Sequence, residues 1–161
     1  MKKLASLPSD DHTFDYSKIT DNIYIGSDLC KGGYCPVHSM AFKKLGICAE
    51  LNLESERKEL PPGGIDIYAW LPVKDKQSPS PDQFLIGSAI INEAVSNGNI
   101  IYIHCRYGHG RSPIMVAAYF VRYKKYKVGE AITFIWGKRK EIHPNEKQLR
   151  ALEDFANKCS K

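Results

Sequence analysis

The chain has 161 residues, of which 43% are hydrophobic and 25% are charged. This length allows one domain with a sizeable core but is too short for two domains of ordinary size. The 23 Lys and Arg residues outnumber the 18 Asp and Glu residues, and the formal net charge is +5. Because the two signs are mixed along the chain, this charge argues against a nucleic-acid partner but suits an anionic substrate.

The N-terminal segment and the cysteines bear on the compartment. The opening "MKKLASLPSDD" has too short an apolar run for a signal peptide, and no run in the chain reaches the length of a membrane span. The five cysteines have no spacing typical of a disulfide framework. We therefore expect a cytoplasmic monomer with no membrane span.

Apolar periodicity predicts the elements of the first half of the chain. Residues 1–15 are predicted to form a polar arm, followed by a single domain over residues 16–158. Strands are predicted at 22–27, 47–53 and 65–73, and a helix at 36–46.

The second half is predicted to be mostly helical around one further strand. The apolar run "NIIYIHC" (99–105) is typical of a strand buried in the middle of a sheet. Helices are predicted at 81–98, 112–125, 128–140 and 145–158. Strands that alternate with helices predict an α/β, three-layer sandwich around a mostly parallel, mixed sheet of about four or five strands.

The segment "IHCRYGHGRSPI" (103–114) places a cysteine and several basic residues between the buried strand and a helix. Ligands of open α/β sheets bind at this edge, beyond the carboxyl ends of the strands. Gly108 and Gly110 allow backbone N–H groups to converge on an anion, and the helix N-terminus adds positive potential. Arg111 supplies a planar cation that matches two phosphate oxygens. The loop is therefore predicted to bind phosphate.

Cys105 is the candidate nucleophile of this loop. Positive surroundings lower a cysteine pKa from about 8.5 to about 3.5–7.5, which predicts a thiolate at neutral pH and phosphoryl transfer to sulfur. A nucleotide P-loop would need a lysine before the serine, and none is present. A zinc site made by His104, Cys105 and His109 fits no common spacing. A purely structural turn would leave the glycines and Arg111 without a purpose.

The loop "HCRYGHGRS" (104–112) resembles the His-Cys-x5-Arg-Ser/Thr signature of the cysteine-dependent protein tyrosine phosphatases, and in particular their small dual-specificity branch. The resemblance extends over roughly residues 16–157 and implies the protein-tyrosine-phosphatase-like fold. Four further segments carry it: an opening strand in 16–27, a helix-to-strand segment in 44–53, a general-acid loop in 71–84 and a closing helix in 143–155.

The resemblance implies a role for each matching residue. Cys105 would become a phosphocysteine, and Arg111 would bind the phosphate and stabilise its equatorial oxygens in the transition state. Ser112 would help the sulfur to leave, and His104 would support the cysteine through its ring hydrogen bonds. The phosphate cradle would comprise Arg106, Tyr107, Gly108, His109, Gly110 and Arg111.

Cleavage of a phosphate ester also needs a proton for the departing oxygen. Asp75 lies 30 residues before Cys105, in the loop where the family keeps its general acid. Asp82 is the alternative, but its position after "SPSP" suits the first turn of a helix. Asp66 is predicted to lie at a strand edge, and Gln83 matches a position at the edge of the acid loop.

The implied activity is hydrolysis of phosphotyrosine, and of phosphoserine or phosphothreonine, in a phosphorylated protein or peptide without a metal or cofactor. Tyr107 departs from the family, which usually has a small residue there, and the substrate preference is therefore open. Arg106 and His109 match basic positions of tensin-type phosphoinositide phosphatases, so a lipid or inositol phosphate is the rival substrate. If the substrate is not a phosphoinositide or inositol phosphate, Arg106 and His109 are expected to be solvent-facing residues of a basic rim.

Two other classes of protein use similar loops. A sulfurtransferase or arsenate reductase would not need an acid loop 30 residues upstream. A phosphoprotein-binding pseudophosphatase would lack a catalytic residue, whereas every position is filled here.

The remaining candidate residues are predicted to be structural. Cys48 could protect Cys105 as a disulfide but is expected to be a small core residue on a strand. Cys30, Cys35 and His38 include only one close cysteine pair and have no acceptable partners to complete a metal site, so they are expected to be loop and core residues. The basic run at 138–140 is expected to be a solvated helix end.

Overall fold

The computed structural model describes residues 14–30 and 33–161, so the predicted arm lies outside it except for Phe14 and Asp15. The strands in these ranges are β1 (Tyr16–Lys18), β2 (Ile23–Gly26), β3 (Ile47–Glu54), β4 (Ile67–Val73) and β5 (Ile100–His104). The helices are α1 (Pro36–Leu45), α2 (Pro81–Ser96), α3 (Arg111–Lys124), α4 (Val128–Lys138) and α5 (Glu146–Cys159).

The strands form one mixed sheet in the order β1-β2-β5-β3-β4. β1 runs antiparallel to β2, and the other three pairings are parallel. Helix α1 connects β2 to β3 and helix α2 connects β4 to β5, each crossing over one intervening strand, while a segment without a helix joins the parallel neighbours β3 and β4. The carboxyl ends of β2, β5, β3 and β4 therefore meet at one edge, and the predicted sheet class is confirmed.

The alternation of side chains along β5 divides the core between the two faces of the sheet. Ile101 and Ile103 face the larger apolar cluster, which contains residues of α2, α3, α4 and α5. Tyr102 faces the smaller cluster with Phe42 of α1, and the two ring centroids are 4.9 Å apart. The result is the expected three-layer sandwich, in which α1 is the only helix of the described residues on its side of the sheet.

Local sequence signals end α1 and start α2 and α5. Gly46 ends α1 in the left-handed region at φ 73°, which a residue with a Cβ adopts only under strain. Ser80 and Gln83 form a reciprocal capping box at the start of α2, and Asn145 and Gln148 form another at the start of α5. These caps flank the two loops that frame the site described below.

The N-terminal edge of the domain differs from the pattern-based prediction. A single strand is predicted at 22–27, whereas the structure has both β2 and the short β1 before it. Phe14 packs on Phe42 and Tyr102, with ring centroids 5.9 and 6.1 Å apart. The folded unit therefore includes at least these last residues of the arm. Within the described part of the chain, no helix is long and apolar enough to cross a bilayer.

Candidate active site

The loop of residues 105–110, here called the catalytic loop, joins the end of β5 to the start of α3. Gly108 has φ 70°, and a Cβ there would lie 2.5 Å from the carbonyl oxygen of Gly26. A side chain at this position is thus excluded by both backbone conformation and space. The segment that follows β2 also holds this loop in place, because the Asp28 N–H donates to the Arg106 carbonyl at 3.0 Å.

Cys105 lies at the base of this loop and is 3% exposed. Its Sγ is 3.1 Å from the Ser112 Oγ. Burial by itself raises the pKa of the Cys105 thiol, but the Ser112 hydroxyl, the Arg111 charge and the N–H groups of Ser112 and Gly108 together lower it below its ordinary value. The site therefore favours a thiolate at this position.

Arg111 is 2% exposed and is held by three oxygen atoms. Its Nη1 donates to Glu56 Oε2 at 2.8 Å and to the Val73 carbonyl at 2.7 Å. Its Nη2 lies 3.4 Å from Asp75 Oδ1. Burial lowers the pKa of Arg111, but Glu56 and the other nearby anions outweigh it and raise the pKa above its ordinary value. The guanidinium is thus a fixed cation.

The predicted acid, Asp75, lies in the segment of residues 74–80 between β4 and α2, here called the acid loop. Its carboxylate is 56% exposed and accepts the N–H of Lys76 at 2.9 Å. Asp75 lines a cleft of about 350 Å³ together with Cys105, Arg111 and Tyr107. The structure therefore brings the sequence-predicted nucleophile, cation and acid to one opening.

The other two aspartates considered as acids lie elsewhere. Asp82 is exposed in the first turn of α2, as its position after "SPSP" predicts. Asp66 donates its N–H to the Cys48 carbonyl just before β4. The side chain of Gln83 accepts the Ser80 N–H and donates to the Pro72 carbonyl, so it joins the start of α2 to the end of β4.

Helix α5 holds the acid loop over the cleft, a feature that the sequence reasoning missed. Asn145 Nδ2 donates to the Lys76 carbonyl at 2.8 Å, and Gln148 Nε2 donates to the Gln77 carbonyl at 3.0 Å. Gln148 also lies against Gly110, where a Cβ would be 3.1 Å from its side-chain amide. One helix terminus thereby contacts both the acid loop and the catalytic loop.

His104 lies behind the cysteine, fully buried on the α1 side of the sheet. Its Nε2 is 2.8 Å from Glu50 Oε1 and 2.9 Å from Glu59 Oε2. Burial alone lowers the pKa of His104, but the two facing carboxylates outweigh it and raise the pKa well above its ordinary value. His104 Nδ1 lies 3.4 Å from the Cys105 carbonyl oxygen, so its ring supports the start of the loop.

The rim of the cleft is aromatic and basic. Tyr107 is 55% exposed and stacks on His109, with centroids 6.0 Å apart, while the Arg106 guanidinium lies 5.3 Å from the Tyr107 ring. His143 contributes a further ring, 5.0 Å from His109. Burial, followed by the nearby Arg139 and His143, lowers the pKa of His109. Arg106 is therefore the permanent cation among these rim residues.

Arg139 corrects the expectation that the run 138–140 is a solvated helix end. Its side chain is 1% exposed. Its Nε and Nη2 donate to the carbonyls of Gly108 and Tyr107, both at 3.0 Å, while Nη1 and Nη2 bind Asp15 at 3.0 and 2.8 Å. Arg139 thus clamps the catalytic loop to the N-terminal edge of the domain. No local pattern distinguishes it from its exposed neighbours.

The sheet register excludes Cys48 as a disulfide partner for Cys105. Cys48 lies opposite the start of β5, with its Sγ 4.0 Å from the Ile100 carbonyl oxygen. Cys105 follows the other end of the same strand, roughly 16 Å away at about 3.3 Å per residue. Because a disulfide needs a Cα separation below about 7 Å, these two cysteines cannot pair in this fold.

Comparisons with known proteins agree with this geometry. Residues 32–158 match the family model described as dual specificity phosphatase, catalytic domain. A putative tyrosine phosphatase, 123R, of Invertebrate iridescent virus 6 is 32% identical over 140 residues, which cover 86% of this chain and 90% of the viral protein. Mouse laforin is 25% identical over 91% of this chain, which spans 51% of laforin.

The fold is also found among solved structures. A crystal structure of PTPMT1 in complex with PI(5)P has a TM-score of 0.79 and 19% sequence identity. The superposition covers 90% of this chain and 96% of that one.

Proposed function

Because the chain belongs to the dual specificity phosphatase family and is a phosphoric monoester hydrolase of that class, we propose specific roles for its site residues. Cys105 attacks the phosphorus of a phosphorylated protein, with phosphotyrosine as the preferred residue. Arg111 and the loop amides hold the phosphoryl group, and Asp75 handles the proton. The observation that carries this assignment is the convergence of Cys105, Arg111 and Asp75 on one cleft.

The first step transfers the phosphoryl group to sulfur. The Cys105 thiolate forms a bond to phosphorus while the bond from phosphorus to the substrate oxygen breaks. Protonated Asp75 gives its proton to that departing oxygen, so the substrate leaves as a neutral alcohol or phenol. The Arg111 guanidinium and the N–H groups of the catalytic loop neutralise charge on the three equatorial oxygens. Electrostatic stabilisation of this kind is usually the largest single contribution to catalysis.

The second step releases phosphate and restores the enzyme. A water molecule attacks the phosphocysteine and gives a proton to the Asp75 carboxylate, which the first step left ionised. The bond between phosphorus and sulfur breaks, and the Ser112 hydroxyl donates a hydrogen bond to the departing thiolate. The distance of 3.1 Å between Ser112 Oγ and Cys105 Sγ supports this role.

The rim supports phosphotyrosine as the preferred substrate. Tyr107 and His109 present stacked rings beside the cleft, and an aryl phosphate offers a ring to pack on them. A phosphoserine has no such ring, so it would gain less from the same wall. A cytoplasmic location is also part of the proposal, because a thiolate nucleophile must stay reduced to react.

A phosphoinositide or inositol phosphate is the second candidate substrate. Lys76 lines the cleft and Arg106 adds positive charge at its rim, which suits a headgroup that carries several phosphates. The PTPMT1 structure with this fold was solved with PI(5)P. Side-by-side hydrolysis of a phosphotyrosine peptide, a phosphothreonine peptide and a soluble PI(5)P distinguishes the candidates. The proposal requires the highest kcat/KM for the phosphotyrosine peptide.

Trapping the intermediate tests the proposed chemistry. Acid quenching during turnover of para-nitrophenyl phosphate should leave a phosphoryl group on the peptide that contains Cys105, detected by mass spectrometry. Cys105→Ser should abolish both the adduct and turnover, whereas Cys159→Ser, at the far end of α5, should change neither. Vanadate should inhibit the wild-type enzyme. An active Cys105→Ser variant, or an adduct on another residue, would overturn the assignment.

A further inference from the structure

A second group of chemically reactive side chains lies between β2 and α1, outside the cleft. Cys30, Cys35 and His38 offer two sulfur atoms and one imidazole, and these donor atoms all lie within 4.8 Å of one another. Cys35 is 7% exposed and His38 is 1% exposed. The phosphatase mechanism uses none of the three.

The local backbone explains why these side chains converge. Cys30 has φ 40°, and its carbonyl accepts the Gly33 N–H at 3.1 Å, which brings Gly33 close to Cys30. Cys35 is the N-cap of α1, and His38 follows in the first helical turn. A residue three positions further along a helix lies on the same face, so Cys35 and His38 are directed to one side.

We propose that Cys30, Cys35 and His38 bind a zinc ion. Thiolate and imidazole are the donors that zinc prefers, at about 2.3 Å for sulfur and about 2.0–2.1 Å for nitrogen. A tetrahedral site with those bond lengths places its donor atoms roughly 3.5–3.8 Å apart, and the three donor atoms here already lie within 4.8 Å of one another. Water or a further donor would take the fourth position.

Zinc binding at this site changes the oxidation state of neither the metal nor the sulfur atoms. Zn²⁺ forms bonds to both sulfur atoms and to one imidazole nitrogen, while the two thiols release their protons to solvent. The two thiolates neutralise the charge of the ion. This neutrality matters because the N-terminus of α1 carries positive potential and would repel an uncompensated cation.

The loop that the ion would fasten also supports the catalytic loop. Asp28 donates its N–H to the Arg106 carbonyl at 3.0 Å, and Leu29 donates its N–H to Glu59 Oε1 at 3.0 Å. Glu59 in turn contacts His104, directly before the nucleophile. Zinc at Cys30 would therefore stabilise the folded state and the backbone beneath Arg106, without contacting the substrate.

Cobalt substitution tests this site without interference from the active-site thiol. Cys105→Ser protein, stripped with EDTA and titrated with Co²⁺, should develop the visible bands of a tetrahedral site and a thiolate-to-cobalt absorption, saturating at about one ion per chain. The added changes Cys30→Ser and Cys35→Ser should each abolish these bands. The added change Cys159→Ser, which removes another half-buried thiol, should leave them intact.

Two further measurements do not depend on how well the variants fold. X-ray absorption at the zinc edge of wild-type protein loaded with Zn²⁺ should show two sulfur ligands, and zinc should raise the Tm of that protein. Binding that survives Cys30→Ser and Cys35→Ser, or a zinc spectrum without sulfur, would refute the site. So would mass spectrometry that finds Cys30 and Cys35 joined as a disulfide in protein supplied with zinc.

Discussion

The Ser112 hydroxyl oxygen lies 3.1 Å from the Cys105 sulfur and is the largest of the influences that lower the pKa of that thiol. A hydrogen bond to sulfur stabilises its charged form, so we expect Ser112→Ala to raise the pKa of Cys105. The pH dependence of Cys105 alkylation by iodoacetamide measures this change, and an unshifted profile would contradict it.

Asp75→Asn should lower turnover by about 10²–10⁴-fold on substrates with a poor leaving group, because the departing oxygen then receives no proton. Phenyl phosphate should lose more activity than para-nitrophenyl phosphate, whose phenolate leaves readily without one. Affinity for vanadate should change little. Asp82→Asn is the matched control, since Asp82 is also exposed and begins α2. A larger loss in Asp82→Asn than in Asp75→Asn would reverse the assignment of the acid.

Asn145→Ser separates the contact with the acid loop from the helix cap. A serine can still cap α5 by accepting the Gln148 N–H, but its hydroxyl is too short to replace the Asn145 amide at the Lys76 carbonyl. Because small displacements of a reacting group are costly, kcat for phenyl phosphate should fall by between about 10- and 100-fold at a nearly unchanged Tm. Asn157→Ser, on the exposed side of α5, provides the control. Equal kcat values for the two variants would show that the loop holds its own position.

Local sequence signals were sufficient for most of the fold and for the centre of the site. The apolar run of β5, the helix stop at Gly46 and the signature around Cys105 each depend on neighbouring residues, and the structure has the corresponding elements. β1 has three residues and little apolar character, so the sequence pattern does not predict it as a strand separate from β2. Short strands of this kind depend on their partner more than on their own sequence.

The supporting contacts of the site could not be predicted because they join distant parts of the chain. Glu56 meets Arg111 across 55 positions, and Arg139 meets Asp15 across 124. A charged residue in a polar run looks the same whether it is solvated or buried against a partner. The packing of elements that are distant in sequence, such as α4 and α5 against α3, decides which it is, and that packing has no local signature.

Arg139→Lys should destabilise the fold and loosen the catalytic loop. A lysine cannot reach Asp15 and the Gly108 and Tyr107 carbonyls together, so buried acceptors lose their partners. A buried acceptor left without its hydrogen-bond donor costs about 1–3 kcal/mol, which urea unfolding would measure. Vanadate binding should weaken as well. Lys138→Ala changes an exposed neighbour and should have neither effect, whereas a fully stable Arg139→Lys would show that the clamp is dispensable.

The buried carboxyl group of Glu54 should make the stability of the enzyme depend on pH. It lies at the end of β3 with 0% exposure, and neither of its carboxylate oxygens has a hydrogen-bond partner among the described residues. Burial, followed by the nearby charges of Asp28 and Glu59, raises the pKa of Glu54 to about 7.

A carboxyl group whose pKa is higher in the folded state favours folding while it is protonated, and that benefit is lost as the pH rises through its folded value. Between about pH 4.5 and pH 7 Glu54 ionises in the unfolded chain but stays protonated in the folded one, so the folded state loses up to about 3 kcal/mol of stability, at about 1.36 kcal/mol for each pH unit. Glu54→Gln removes this charge and should raise the free energy of unfolding at pH 8 while changing it little at pH 4.5. Urea unfolding at both pH values measures the difference, with the exposed change Glu153→Gln as control. A gain that is equal at the two pH values would mean that packing, rather than ionisation of Glu54, is responsible.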